Sequence, residues 1–228
     1  MTILVDRRHL LLAGIAGAAL TLPGCQSLPT ISLTEVIRRL LTLSSQSAFA
    51  QLLQPGGFYD SQVARIALPE RLGGGAGSGI LSAVLQSKIF RDKLQRQLNR
   101  AAEKGAERAA PLVAEAVRTV TIEDAASIIG GDAQAASRFL RGKMGPVILD
   151  AMLPGISEGL ALFDDQTISR AVQSVTGFDI GALARDVTQR AENAIWAAIG
   201  VQEANIRANP QSTNDPLLIG IFGRAAKP

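Results

Sequence analysis

Past its first two dozen residues, this chain has few side chains able to do chemistry, and those are carboxylates, guanidiniums and amides. Asn99, Arg100 and Glu103 cluster, Glu123 adjoins Asp124, and Glu203 precedes Arg207 by four. Residues three and four apart are neighbours on a helix. Asn99 and Glu103 therefore share a face, and Arg100 can pair with Glu103. This makes a candidate polar patch for a headgroup, a glycan or a peptide. The same spacing equally suits a solvated face or a contact between helices. The adjacent carboxylates Glu123 and Asp124 suggest acid–base work of the glycosidase kind. They also follow Thr121, a capping residue, and acids in a first helical turn are favoured by the helix dipole. Glu203 and Arg207 are expected to pair locally and end a helix.

What is missing narrows the chemistry further. The single histidine is His9 and the single cysteine is Cys25. Beyond Cys25 there is neither imidazole nor thiol. That excludes Ser-His-Asp and Cys-His nucleophile systems, and zinc sites built on those ligands. Disulfides are excluded with them. Ser87-Lys88 does not replace them, because adjacent helical residues do not face one another. No calcium loop is present. We expect no metal, no cofactor and no catalytic residue.

The formal net charge is +3, from 23 basic and 20 acidic residues. Removing residues 1–24 takes away Asp6, Arg7 and Arg8, leaving 21 against 19, or +2. A balanced surface with 4% aromatics is not a nucleic-acid footprint.

Cys25 carries the clearest signal. Arg7-Arg8 precede an apolar stretch, Leu10 to Leu22, and Pro23-Gly24-Cys25 follow. This is the layout of an export signal, and it is too short for the ~20 apolar residues of a spanning helix. Leu22 through Cys25 resembles a bacterial lipobox. Residues 1–24 are then a signal peptide and Cys25 the acylated residue, carrying palmitate or a similar chain. Residues 25–31 become a lipidated tether. Gln26, which is not aspartate, implies by the same resemblance the periplasmic face of the outer membrane, with the inner membrane as the lesser alternative. Two or more acyl chains give stable anchoring. Arg7-Arg8 fits general and twin-arginine export alike.

The remainder reads as helix. Ser32 and Glu35 form a capping box ahead of a helix to about Leu53, stopped by Pro55-Gly56-Gly57. Phe58 to Leu72 is irregular or only partly helical, and Gly73 to Gly79 is a flexible connector. The longest helix runs from Ile80 to about Ala110, small-faced in its second half, and Pro111 starts another. Ala125 to Ile129 is a short helix ended by Gly130-Gly131, and Asp132 caps the next. Val147 to Leu153 and Ile156 to Phe163 are short helices separated by Pro154-Gly155. Thr167 to Val175 is another. Asp164-Asp165 is a turn or cap. Asp179 caps a strong helix from Ile180 that continues to Ala208. Asn209-Pro210 ends it, and Asp215 to Phe222 is the last. Trp196 lies on an apolar face and belongs to the core. The fold class is all-α: an irregular multi-helix bundle with one long helix and several short Gly/Pro-punctuated helices. A single domain spans 32–223, with a tail at 224–228.

Several segments together resemble the bacterial domain of unknown function 4197 family, whose members are small exported helical proteins. They are Gly57-Phe58, Ala64-Arg65-Ile66-Ala67-Leu68-Pro69-Glu70, Asn99-Arg100-Ala101-Ala102-Glu103 and Thr121-Ile122-Glu123-Asp124-Ala125. Gly130-Gly131-Asp132, Glu203 through Pro210, Leu217-Leu218 and Ile221-Phe222-Gly223 complete the set. The resemblance implies export and a helical fold, and assigns no activity. The expected function is that of a membrane-anchored periplasmic module, non-catalytic, binding a protein, lipid or cell-wall component. The alternative is a hydrolase or transglycosylase working on carboxylates alone.

Overall fold

The computed structural model describes residues 32–68, 87–119, 121–123, 125–161, 173 and 179–223. The leader, the tether, the connector at 73–79, Asp124, Asp164-Asp165, the expected helix at 167–175 apart from Gln173, and the tail lie outside the described residues. By contact density the chain divides after Thr30, and the fold is that of the unit from Ile31 onward. Every regular element among the described residues is helical.

Helix α1 spans Leu33–Leu52. Ser32 Oγ accepts the Glu35 N–H at 3.4 Å and starts it. Val36, Ile37, Leu40, Leu41, Ala48, Phe49 and Leu52 form the buried stripe. Ser44 is buried with its hydroxyl satisfied, donating to the Leu40 carbonyl at 2.7 Å. Gly56 reverses the chain at φ +84, a conformation that favours glycine. The following segment is irregular, as expected. Phe58 anchors it in the core, and Ala64 and Ile66 point inward while Arg65 and Ala67 are exposed.

Helix α2 is one continuous element, Lys88–Thr119, of 32 residues, about 48 Å long. The expected break at Pro111 does not occur. Proline removes one N–H from the helical ladder, but Ala109, Val113 and Val117 continue the buried stripe on either side. Burying that stripe outweighs a local defect. The same correction applies to α5, Val147–Leu160, where Pro154 lies inside a single helix. Its Pro-Gly pair marks a crossing instead of a break. A Cβ on Gly155 would sit 2.7 Å from the Lys104 carbonyl, and one on Gly159 would sit 2.6 Å from Ala101 Cα. Gly105 of α2 faces Ile156 just as closely. The small face foreseen on α2 is therefore what admits α5, and this pair makes the most extensive helix contact in the fold.

Between them lie α3, Ala125–Ile129, and α4, Ala135–Met144. Helix α6 runs unbroken from Ile180 to Ala208. Asp179 caps it by accepting the Ala182 N–H at 2.6 Å. A 3-10 turn at Pro210–Thr213 leads to α7, Pro216–Phe222, capped by Asp215. Helices α1, α2, α5 and α6 enclose one hydrophobic core, to which α4, α7 and the 58–66 segment contribute. Trp196 is in that core, 5% exposed.

Candidate functional site

The motif residues are built into two latches, and a cleft stands beside the first. The first latch is a row on α2. Gln95, Asn99 and Glu103 recur every fourth residue, and all three reach the irregular segment after α1. Asn99 Nδ2 donates to the Ile66 carbonyl at 3.0 Å, and its Oδ1 accepts the Ile66 N–H at 2.8 Å. Gln95 also donates to the Ile66 carbonyl, at 3.4 Å. Glu103 accepts the Gly56 N–H at 3.1 Å, and the Phe58 N–H as well. A segment with no helix or sheet partner must satisfy its backbone by other means, and these side chains do so. Asn99 is fully buried. It is therefore not part of an exposed binding patch, which corrects the expectation drawn from spacing alone. Helical spacing shows that two residues share a face; it does not show what covers that face.

Glu203 and Arg207 of α6 form the second latch. They pair at 2.8 Å, as expected, and the ion pair is buried. Glu203 also accepts the N–H groups of Ala136 at 3.0 Å and Ser137 at 2.7 Å. It thereby caps α4 from another helix. Arg207 donates to the carbonyls of Ile129 at 2.9 Å and Ile128 at 3.0 Å, closing the end of α3. Phe222 of α7 lies against the guanidinium, 4.9 Å from ring centre to Cζ. Asp132 was expected to cap α4. The helix starts instead after Gln134, which makes no side-chain cap, and Asp132 accepts the Gln134 N–H at 2.9 Å and pairs with Arg138. Glu123 is exposed and precedes α3 outright, so it does not occupy the first turn. Its neighbour Asp124 lies outside the described residues.

The cleft is a cavity of about 490 Å³ between the Leu53–Asp60 loop and α2. Its walls carry Tyr59, Asp60, Arg96, Arg100, Glu103 and Glu107, with Lys104 at one side. Burial raises the Glu103 carboxyl above the ordinary glutamate range, and Glu107 adds to this. The N–H groups of Gly56 and Phe58 and the charge of Arg100 oppose the shift without cancelling it. Tyr59 donates to Asp92, and its ring lies under the guanidiniums of Arg96 and Arg65, at 4.1 and 4.8 Å. Arg96 in turn pairs with Asp92 at 2.9 Å. Arg100 is exposed and makes no ion pair with Glu103.

Sequence reasoning missed Gln95, Tyr59, Asp92, Asp60 and Glu107. The repeats Gln95/Asn99/Glu103 and Arg96/Arg100/Lys104, each every fourth residue, were a usable signal for the α2 members. Nothing local marked the loop residues. Among the described residues, no group of histidine, cysteine, aspartate or glutamate could hold a metal ion. Nor is any described helix long and apolar enough to cross a membrane.

The fold and site define an all-helical body whose buried polar side chains brace irregular backbone and helix ends beside a mixed-charge cleft. The chain belongs to the DUF4197 family, a protein family of unknown function, which it matches over residues 27–223. No curated protein and no solved structure matches it.

Proposed function

We propose that this is a membrane-anchored periplasmic lipoprotein, acylated on Cys25 and held at the outer membrane. Its helical body is a non-catalytic binding module for an envelope partner: a protein, a lipid or a cell-wall component. One observation carries the binding reading. Asn99, Glu203 and Arg207 are all engaged with the chain's own backbone, whereas Arg100 and Glu107 are exposed side chains lining a concave, mixed-charge cleft. Cavities of about 300–1,000 Å³ are the usual size of small-ligand sites. The tether supports the anchoring. From Cys25 to Ser32 the chain reaches at most about 25 Å, so the body works close to the bilayer.

The anchor is tested by Cys25→Ser. Loss of radioactive palmitate incorporation and release of the protein from membranes are expected; unchanged retention refutes acylation as the anchor.

A second reading has one observation in its favour. Glu103, held above the ordinary carboxylate range, shares the cleft with Asp60 and Glu107. A raised carboxyl sharing a cleft with other carboxylates is a feature also found in hydrolases and transglycosylases that work with paired acids. Incubating the protein with isolated cell wall separates the two. Soluble fragments released by the native chain, and not by a folded Glu103→Gln variant, establish the enzyme; no release leaves the binding module.

A further inference from the structure

The helix side of the cleft runs from basic to mainly acidic residues, with Lys104 between the two glutamates. Arg96 and Arg100 lie toward the start of α2, and Glu103 and Glu107 lie one and two turns further on. Much of this charge is already matched. Arg96 is held by Asp92 and also feels Asp60. Lys104 leans toward Glu158, 3.6 Å away on α5. Glu103 holds backbone N–H groups. Arg100 and Glu107 are left with no hydrogen bond or ion pair among the described residues. Glu103 and Glu107 are also like charges at helical i,i+4 spacing, which is unfavourable by itself. Glu107 raises the Glu103 carboxyl for that reason. A cation seated between them would relieve the repulsion, and an anion on Arg100 would complete the other end.

Arg100 and Glu107 are two helical turns apart, about 10.5 Å along the axis. An extended peptide advances about 3.3–3.6 Å per residue, so the termini of a chain of about three residues match that separation. The loop wall adds Leu53, Pro55 and the Tyr59 edge, which suit small apolar side chains. We propose that the cleft binds a short zwitterionic peptide, its carboxylate on Arg100 and its ammonium at Glu107 against Glu103. This rests on the cleft being the module's binding site, and names the ligand class it takes.

The test is calorimetric titration of the purified full chain in detergent with trialanine, N-acetyl-trialanine, trialanine amide and phosphoethanolamine. Free trialanine is expected to bind, and blocking either end to weaken it at least tenfold. Arg100→Gln should remove the penalty for amidation and leave that for acetylation; Glu107→Gln should do the reverse. Both side chains are exposed, so the variants should fold. Phosphoethanolamine, too short to span both ends, should bind at least tenfold more weakly than trialanine. No binding of trialanine overturns the inference. So do blocked peptides that bind as well as the free one, and phosphoethanolamine that binds better. The broader reading fails separately. A photocrosslinking residue at Leu53, on the rim, that captures nothing in the native envelope sinks the cleft as a binding site. Capture without any preference for free termini sinks only the peptide.

Discussion

Replacing Arg207 with methionine should destabilise the body far more than any surface change, and the structure sets the size of the loss. The side chain is 9% exposed and its partner Glu203 is fully buried. Arg207→Met keeps a similar apolar stem against Phe222 but removes the guanidinium. The Ile128 and Ile129 carbonyls lose their donor. Glu203 is left as a buried carboxylate with only the Ala136 and Ser137 N–H groups. Removing one partner of a buried ion pair costs about 3–5 kcal/mol. For a domain of this size each kcal/mol moves Tm by about 2–4 °C, so a fall of about 6–20 °C is expected. Glu203→Leu alone should also be costly, since it strands the guanidinium and uncaps α4. The double variant strands neither charge. It should be less destabilised than the two single losses together by about 1–3 kcal/mol, the coupling expected of residues in one network. Urea unfolding followed by circular dichroism gives all four corners of the cycle. Single losses under about 1 kcal/mol, or losses that simply add, would refute the latch as described.

The α2–α5 crossing makes a second prediction. Gly159→Ala drives a methyl into Ala101 backbone and should cost about 1–2 kcal/mol net of the helix propensity gained. Gly142→Ala, on α4 with open space around it, should stabilise by about 0.5–1 kcal/mol; equal effects in thermal melts would show that the crossing is not tight. Pro111→Ala, exposed within a continuous α2, should gain about 2 kcal/mol, the interior-proline penalty less the stiffness lost from the unfolded chain. No gain would mean that the helix is broken there after all. The pH profile has two opposed parts. The raised Glu103 carboxyl makes the folded state bind the extra proton, so this part of the stability falls as pH rises through the ordinary glutamate range to the raised value. Burial pushes Asp215 up, but Arg39 and the Leu218 and Leu217 N–H groups outweigh it and hold the carboxyl below its ordinary value. Its part is therefore present above the ordinary aspartate range and lost as pH falls through the lowered value. Melting curves of Glu103→Gln and Asp215→Asn across pH should each remove one limb; a variant that removes the wrong limb refutes the assignment.

The elements legible in sequence were those whose signals are local. Ser32 and Asp179 each bind the N–H three residues on, so a capping residue ahead of an apolar stripe was sufficient evidence. The stripes of α1 and α6 repeat every three to four residues, and their burial followed. Prolines misled, because a local rule met a tertiary one. Pro111 and Pro154 weaken one turn each, but the stripes on both sides are buried in the same hydrophobic core, and that shared burial keeps each helix whole.

The sequence by itself determined an all-helical body, most of its helix starts, and a chain with no imidazole or thiol beyond Cys25. Only the tertiary structure decided what the polar motifs do. Asn99 meets Ile66 across 33 positions, and Glu203 meets Ala136 across 67. A hydrogen bond needs two groups within about 3 Å, and spacing along one helix carries no record of which distant backbone will arrive there. Arg100 and Glu107 differ from them in the same way: they are exposed because no described segment of the fold covers them.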